Sequence, residues 1–227
     1  MRDLLKTLII IAVVLAFVPV VLSPVQAGEK RWAPQTEFQK RLNPERLPMA
    51  GADNSGKPLP ADPQFLADRL AIINHVTAYA YLIDEGRWDE WYDLFSDDVV
   101  FESTVPCFGT IRTKGKKAFR KFTDLRYRGP GSEKNRTVRR HTMGNVHIVS
   151  QTATTALVRT YMLISAAPPD APFKVFTSGT YNATLEKRNG KWTITRWYIE
   201  VDAPVKKSTV PKIEGVEYIP DNNPQCK

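Results

Sequence analysis

The stretch from Leu66 to Glu102, LADRLAIINHVTAYAYLIDEGRWDEWYDLFSDDVVFE, constrains the fold more than any other part of the chain. Its apolar spacing reads as one long helix, a tight turn at Gly86, a short second helix and the opening of a strand. On a wheel of about 100° per residue, Leu66, Leu70, Ile73, Val76, Thr77, Ala80 and Ile83 fall in one core-facing stripe, interrupted by Arg69. Asp84 lies inside that stripe. Arg69 can lay its stem along the apolar face and reach water, but a short carboxylate cannot, so Asp84 must be paired or used.

The long helix begins near Pro63, with Asp62 as N-cap and Pro63 in the first turn, where a missing N–H costs nothing. Trp88, Trp91, Tyr92 and Phe95 follow at helical spacing and read as core aromatics, and Val99, Val100 and Phe101 open a strand. The segment STVPCFGTIRT suggests a hairpin or an irregular loop. Lys114 to Tyr127 reads as a third helix with Ala118, Phe119, Phe122 and Leu125 inward. Alternating strands then run over Val138–Ser150, Ala153–Ala166, Phe173–Lys187 and Lys191–Asp202, and Arg188-Asn-Gly-Lys191 makes the turn between the last two. Three helices followed by a long antiparallel sheet make an α+β domain.

The flanks carry no core of their own. Of 227 residues, the first 27 place Arg2 and Lys6 before an apolar run from Leu8 to Leu22, then Val25-Gln26-Ala27, a small-x-small ending suited to cleavage after Ala27. A retained anchor is the competing reading, but the run is short for a span and Pro19 interrupts it. Residues 28–62, rich in Pro, Gly and charge, read as an extended arm or linker, and 204–227 as a C-terminal tail around a domain at 63–203. In the arm, Gly51, Gly56 and Lys57 imitate a phosphate loop, but Pro58 stands where Ser or Thr would hold magnesium, and no strand–helix context surrounds it.

Loss of Arg2, Asp3 and Lys6 would lower the formal net charge from +8 to +7. The basic residues are dispersed, with knots at Lys114–Lys121 and Arg136–Arg140, which reads as a solvated surface and not as a nucleic-acid face. Attraction to a membrane is expected only with an uncleaved leader. The two cysteines, Cys107 and Cys226, could pair or stay free. Neither has a neighbouring His or CxxC spacing, so neither a metal site nor a redox motif is indicated.

The pattern Tyr79-Ala-Tyr-Leu-Ile-Asp84-Glu-Gly-Arg-Trp-Asp89, then Leu94-Phe-Ser-Asp-Asp98-Val-Val-Phe, then Arg140-His141 through Asn145, and finally Gly190-Lys-Trp192-Thr-Ile resembles the SnoaL-like branch of the NTF2-like superfamily. The resemblance implies a cone of curved antiparallel sheet wrapped around helices, with an apolar cavity and, often, homodimers through the open sheet face. It fixes fold better than reaction, because the cone hosts dehydratases, isomerases, epoxide hydrolases, dehydrochlorinases, cyclases and binders.

In the dehydratase and dehydrochlorinase relatives, an Asp near the end of the first helix pairs with a His on the sheet. Asp84 and His141 occupy the matching positions. Tyr79 resembles the tyrosine that accompanies the dyad in one of these relatives, bile-acid 7α-dehydratase, and Tyr81, nearer Asp84 on the wheel, is a second phenol to consider. An imidazole oriented by a carboxylate can take a proton beside a carbonyl or leaving group, and a phenol can protonate what departs, so the implied chemistry needs no cofactor and no metal. Scytalone dehydratase has a further His on the following strand, where this chain offers Arg159, Thr160 and Tyr161. Of the remaining histidines, His75 sits toward the back of the first helix, and His147 shares strand parity with His141 unless a bulge intervenes. The implied protein is an exported, cofactor-independent lyase or isomerase acting on a small, apolar, cyclic substrate, with ligand binding without turnover as the alternative.

Overall fold

Asp62 starts the first helix as its N-cap, its carboxylate accepting from the backbone N–H groups of Gln64 at 3.1 Å and Phe65 at 3.3 Å. Helix α1 (Pro63–Asp84) then runs for 22 residues. Gly86 ends it at φ +70°, a left-handed conformation that costs glycine little. Helix α2 (Trp88–Asp93) follows directly. The computed structural model describes residues 59–128, 138–169, 171–202 and 213–221, all of them in the unit spanning Glu37–Lys227. The leader, the arm up to residue 58 with its Gly51–Lys57 motif, and Cys226 lie outside the described residues. Cys107 is disulfide-bonded.

Seven strands form one curved open sheet: β1 (Phe95–Val105), β2 (Gly109–Lys114), β3 (Val138–Gln151), β4 (Thr155–Ala167), β5 (Lys174–Arg188), β6 (Lys191–Val201) and β7 (Val216–Pro220), with helix α3 (Lys116–Arg128) between β2 and β3. The order is β3-β4-β5-β6-β1-β2-β7. The strand reading of the sequence agrees closely along β3 to β6, but two features differ. β1 and β6 run parallel, because the chain passes through β2, α3 and three further strands before β6 returns beside β1. The C-terminal segment is more than a tail, since Val216–Pro220 pairs with β2 and adds the seventh strand. Neither feature is legible locally, because strand pairing is a long-range choice.

α1 packs on β3 and β6, and α3 on β1, β2 and β7. The buried face of α1 is centred on Asp68, Ile72, Val76, Tyr79 and Ile83. The stripe expected from the wheel is therefore rotated: Leu66 and Leu70 are exposed, and so is Leu125 on α3. The reason is that α1 is apolar on nearly every side, so periodicity alone does not select the face that the sheet will cover. Asp68, absent from the expected stripe, is buried because Lys187 and Trp192 arrive from the sheet to bind it at 2.8 and 3.1 Å. The core is aromatic. Tyr79 stacks on Trp197 with centroids 4.3 Å apart and touches Trp91, Phe95 and Tyr181, contacts that add to the burial of the rings themselves.

Candidate functional site

Asp84 is the last residue of α1, at the pole of the helix where a negative charge is disfavoured and where no basic residue of the last turn offsets it. Its compensation comes from β3. The backbone N–H of His141 donates to one carboxylate oxygen at 2.7 Å, and His141 Nδ1 lies 2.5 Å from the other. Both side chains are buried, at 8% exposure for Asp84 and 7% for His141. Two contacts from a single residue fix both the position and the rotation of the imidazole. With Nδ1 held by Asp84, Nε2 is the nitrogen left for a substrate.

His141 pairs across the sheet with Ile164 of β4, and both face a cavity of about 620 Å³. The lining is mostly apolar, with Phe101, Phe108, Ile111, Phe122, Met162 and Val201 prominent. Its phenols are Tyr79, Tyr127 and Tyr181. Tyr79 meets the His141 ring edge-on, with centroids 6.3 Å apart and planes at 81°. Burial pushes the Tyr79 hydroxyl well above the ordinary phenol range, and the neighbouring Tyr181, Tyr127 and Asp84 push in the same direction while Arg126 opposes them. Tyr181 is likewise raised, first by burial and then by Tyr127 and Asp84, with a hydrogen bond from Tyr79 acting against the shift. Both phenols therefore stay protonated near neutral pH, a state in which a phenol can donate a hydrogen bond but cannot act as a base.

On the outer side of the dyad, a groove of about 520 Å³ runs between α1 and the edge strand β3, lined by Thr77, Tyr81, Asp84, Arg140 and His141 among others. Tyr81 belongs to this groove, is 69% exposed and does not line the inner cavity. Its expected place in the pocket is thus corrected: 100° per residue puts Tyr81 about 200° round the helix from Tyr79, so only one of the two can face the cavity.

The other histidines fall elsewhere. His75 is half-buried with Nε2 at 2.9 Å from the Leu94 carbonyl, a tie between α1 and the start of β1. A register shift between Gly144 and His147, with Asn145 at φ 52°, breaks the parity that would have aimed His147 inward, and His147 pairs with Arg159 instead. Tyr181, Tyr127, Arg126 and Lys174 complete the cavity without having been singled out from the sequence. Tyr181 alone left a signal, an alternation of inward residues along β5. Among the described residues no group of three or more His, Cys, Asp or Glu side chains converges as metal ligands would.

Comparison with known proteins agrees with this architecture. Residues 64–198 match the model of the SnoaL-like domain. No curated protein matches the chain. Among solved structures, a scytalone dehydratase candidate from Novosphingobium aromaticivorans is 22% identical, with a TM-score of 0.50 over 64% of this chain and 98% of that one. A Catenulispora acidiphila protein in complex with S-DNPA is 20% identical, with a TM-score of 0.50 over 60% of this chain and 95% of that one. The β subunit of the benzoate 1,2-dioxygenase from Burkholderia mallei is 17% identical, with a TM-score of 0.50 over 58% of this chain and 88% of that one. At such identities the likeness is one of fold. The chain belongs to the SnoaL-like family, whose domain it carries at residues 64–198.

Proposed function

We propose that this protein is an exported, cofactor-independent lyase or isomerase of the dehydratase type, in which His141, oriented by Asp84, moves a proton on a small, largely apolar, cyclic substrate. The observation that carries the reading is the 2.5 Å contact between a buried Asp84 and Nδ1 of His141, whose ring lines a cavity of about 620 Å³. The neutral imidazole takes a proton from carbon next to a carbonyl or leaving group, and Asp84 stabilises the imidazolium that forms. Tyr181 donates a hydrogen bond to the oxygen on which charge develops, and Tyr79, which donates to Tyr181, holds that phenol in place. In an elimination the C–O bond breaks as the C=C bond forms, and the proton held by the imidazolium passes to the departing hydroxyl, which leaves as water; in an isomerisation the same proton returns to carbon.

The test is deuterium incorporation into cyclic ketones and β-hydroxy carbonyl compounds in D₂O, followed by proton NMR for wild type and His141→Gln. Exchange that requires His141 supports the enzyme. Ligand binding without exchange or product, governed by the apolar lining, marks the protein as a carrier of the same class of molecule. Self-association through the sheet's outer face, where Tyr161 and Leu163 of β4 are exposed, belongs to the same proposal and is read by sedimentation.

A further inference from the structure

The charges around the cavity are one-sided. Two cations, Arg126 of α3 and Lys174 of β5, line it, and among the described residues no Asp or Glu does. Both cations are exposed whereas the side chains of His141 and Tyr79 are buried, so the cations lie toward solvent and the His141 ring deeper in the lining.

The pairing of α3 sharpens the point. Lys116, Arg120, Lys121 and Arg128 have Asp97, Asp89, Glu214 and Asp124 at 3.2, 2.8, 4.0 and 3.1 Å. Two cations of the same helix, Arg126 and Lys117, have no carboxylate in ion-pair reach among the described residues, and neither has Lys174; of the two on the helix, Arg126 alone lines the cavity. The Arg126 guanidinium instead lies 5.8 Å from the centroid of the adjacent Tyr127 ring, itself part of the lining. A planar guanidinium offers two parallel donors to a carboxylate, a geometric match that an ammonium does not provide.

Taking the cavity as the substrate site proposed above, we infer that the substrate is an organic acid: an apolar ring system whose carboxylate is held at the cavity entrance by Arg126, with Lys174 beside it, while its carbon skeleton reaches inward to His141. The cation pair fixes which end of the molecule enters first. It thereby selects acids over the corresponding neutral amides, esters and hydrocarbons.

Two fluorescent probes with the same rings, anilinonaphthalene sulfonate and its neutral counterpart phenylnaphthylamine, test the charge requirement without knowledge of the natural substrate. Wild type binds the anion about tenfold more tightly than the neutral amine, and Arg126→Gln removes that preference while changing affinity for the amine by less than about twofold. Lys174→Gln weakens the anion by a smaller factor. Lys117→Gln, which removes an exposed cation of the same helix outside the cavity lining, changes neither probe. Circular dichroism verifies that each variant is folded. An anion that binds no better than the amine, or not at all, or one that Arg126→Gln and Lys117→Gln weaken equally, overturns the inference. His141→Gln separates it from the catalytic reading: charge preference that survives in a protein without turnover leaves the acid-binding cavity standing, and turnover without charge preference does the reverse.

Discussion

Asp84 and His141 meet twice, through the histidine's backbone N–H at 2.7 Å and its ring Nδ1 at 2.5 Å, although 57 residues separate them in the chain. The carboxylate is thus at once the structural acceptor at the end of α1 and the group that orients the imidazole.

Removing either function should be visible in kinetics. Asp84→Asn and His141→Gln are each expected to lower turnover by about two orders of magnitude or more, with ligand affinity changed less than about tenfold. Because the two act as one unit, the double variant should lose no more than the worse single one. Additive losses would disprove the dyad.

Tyr79→Phe removes the hydroxyl that holds the Tyr181 donor in place while keeping the ring stacked on Trp197. Turnover should fall by about a hundredfold, mostly in kcat, the size expected for one preorganised donor. Stability should change by less than about 1.5 kcal/mol, the net contribution of a single hydrogen bond. Denaturant melts and the split between kcat and KM check the two halves of this expectation.

His75 is expected to make stability sensitive to acid. Burial lowers its pKa from the ordinary 6.5, the Leu94 carbonyl opposes that shift, and Lys191 adds to it. As pH falls, the unfolded chain binds the proton first, so the stability held by neutral His75 is complete above the unfolded value of about 6.5 and is lost as pH falls through the lower folded value. Tm measured from pH 8 to pH 5 should decline in wild type and decline less in His75→Gln. Identical slopes would exclude His75 as the cause.

Asp68 anchors α1 to the far end of the sheet through Lys187 and Trp192. Asp68→Ala should destabilise the fold by about 2 kcal/mol, the usual scale for a charged hydrogen bond left without its partner. The lysine bond is the main reason that the Asp68 pKa lies below its ordinary value, with Trp192 and Gln64 adding to the effect and burial opposing it. The stabilisation is therefore present above about pH 4 and is lost as pH falls through the folded value. Urea midpoints at pH 7 and pH 2.5 should differ less in the variant than in wild type.

Export is checked by sequencing the N-terminus of the native protein, expected at Gly28 or within a residue or two of it. Intact Met1 in the membrane fraction would establish the anchor instead.

The sequence by itself determined the elements and their composition. Asp62 before Pro63, Gly86 after Asp84, and the strand pattern along Val138–Val201 are local instructions, enforced by capping, left-handed backbone and alternation; the cap, the stop and the four strands are met where they were expected, while bulges interrupt the parity within the strands. The sequence also marked Asp84 as a carboxylate needing a partner, because a short acid on an apolar helix has no route to water. What it left undecided was decided in three dimensions. Which side of α1 is buried depends on where β3 and β6 arrive, so Leu66 and Leu70 are exposed, Asp68 is buried against Lys187, and Tyr79 rather than Tyr81 enters the cavity. The bulge near Asn145 turned His147 away from the interior. The parallel pairing of β1 with β6 and the added strand β7 come from contacts between segments about a hundred residues apart. Such contacts are chosen by the fit of whole faces after the local elements exist, and no window of sequence contains both sides of that fit.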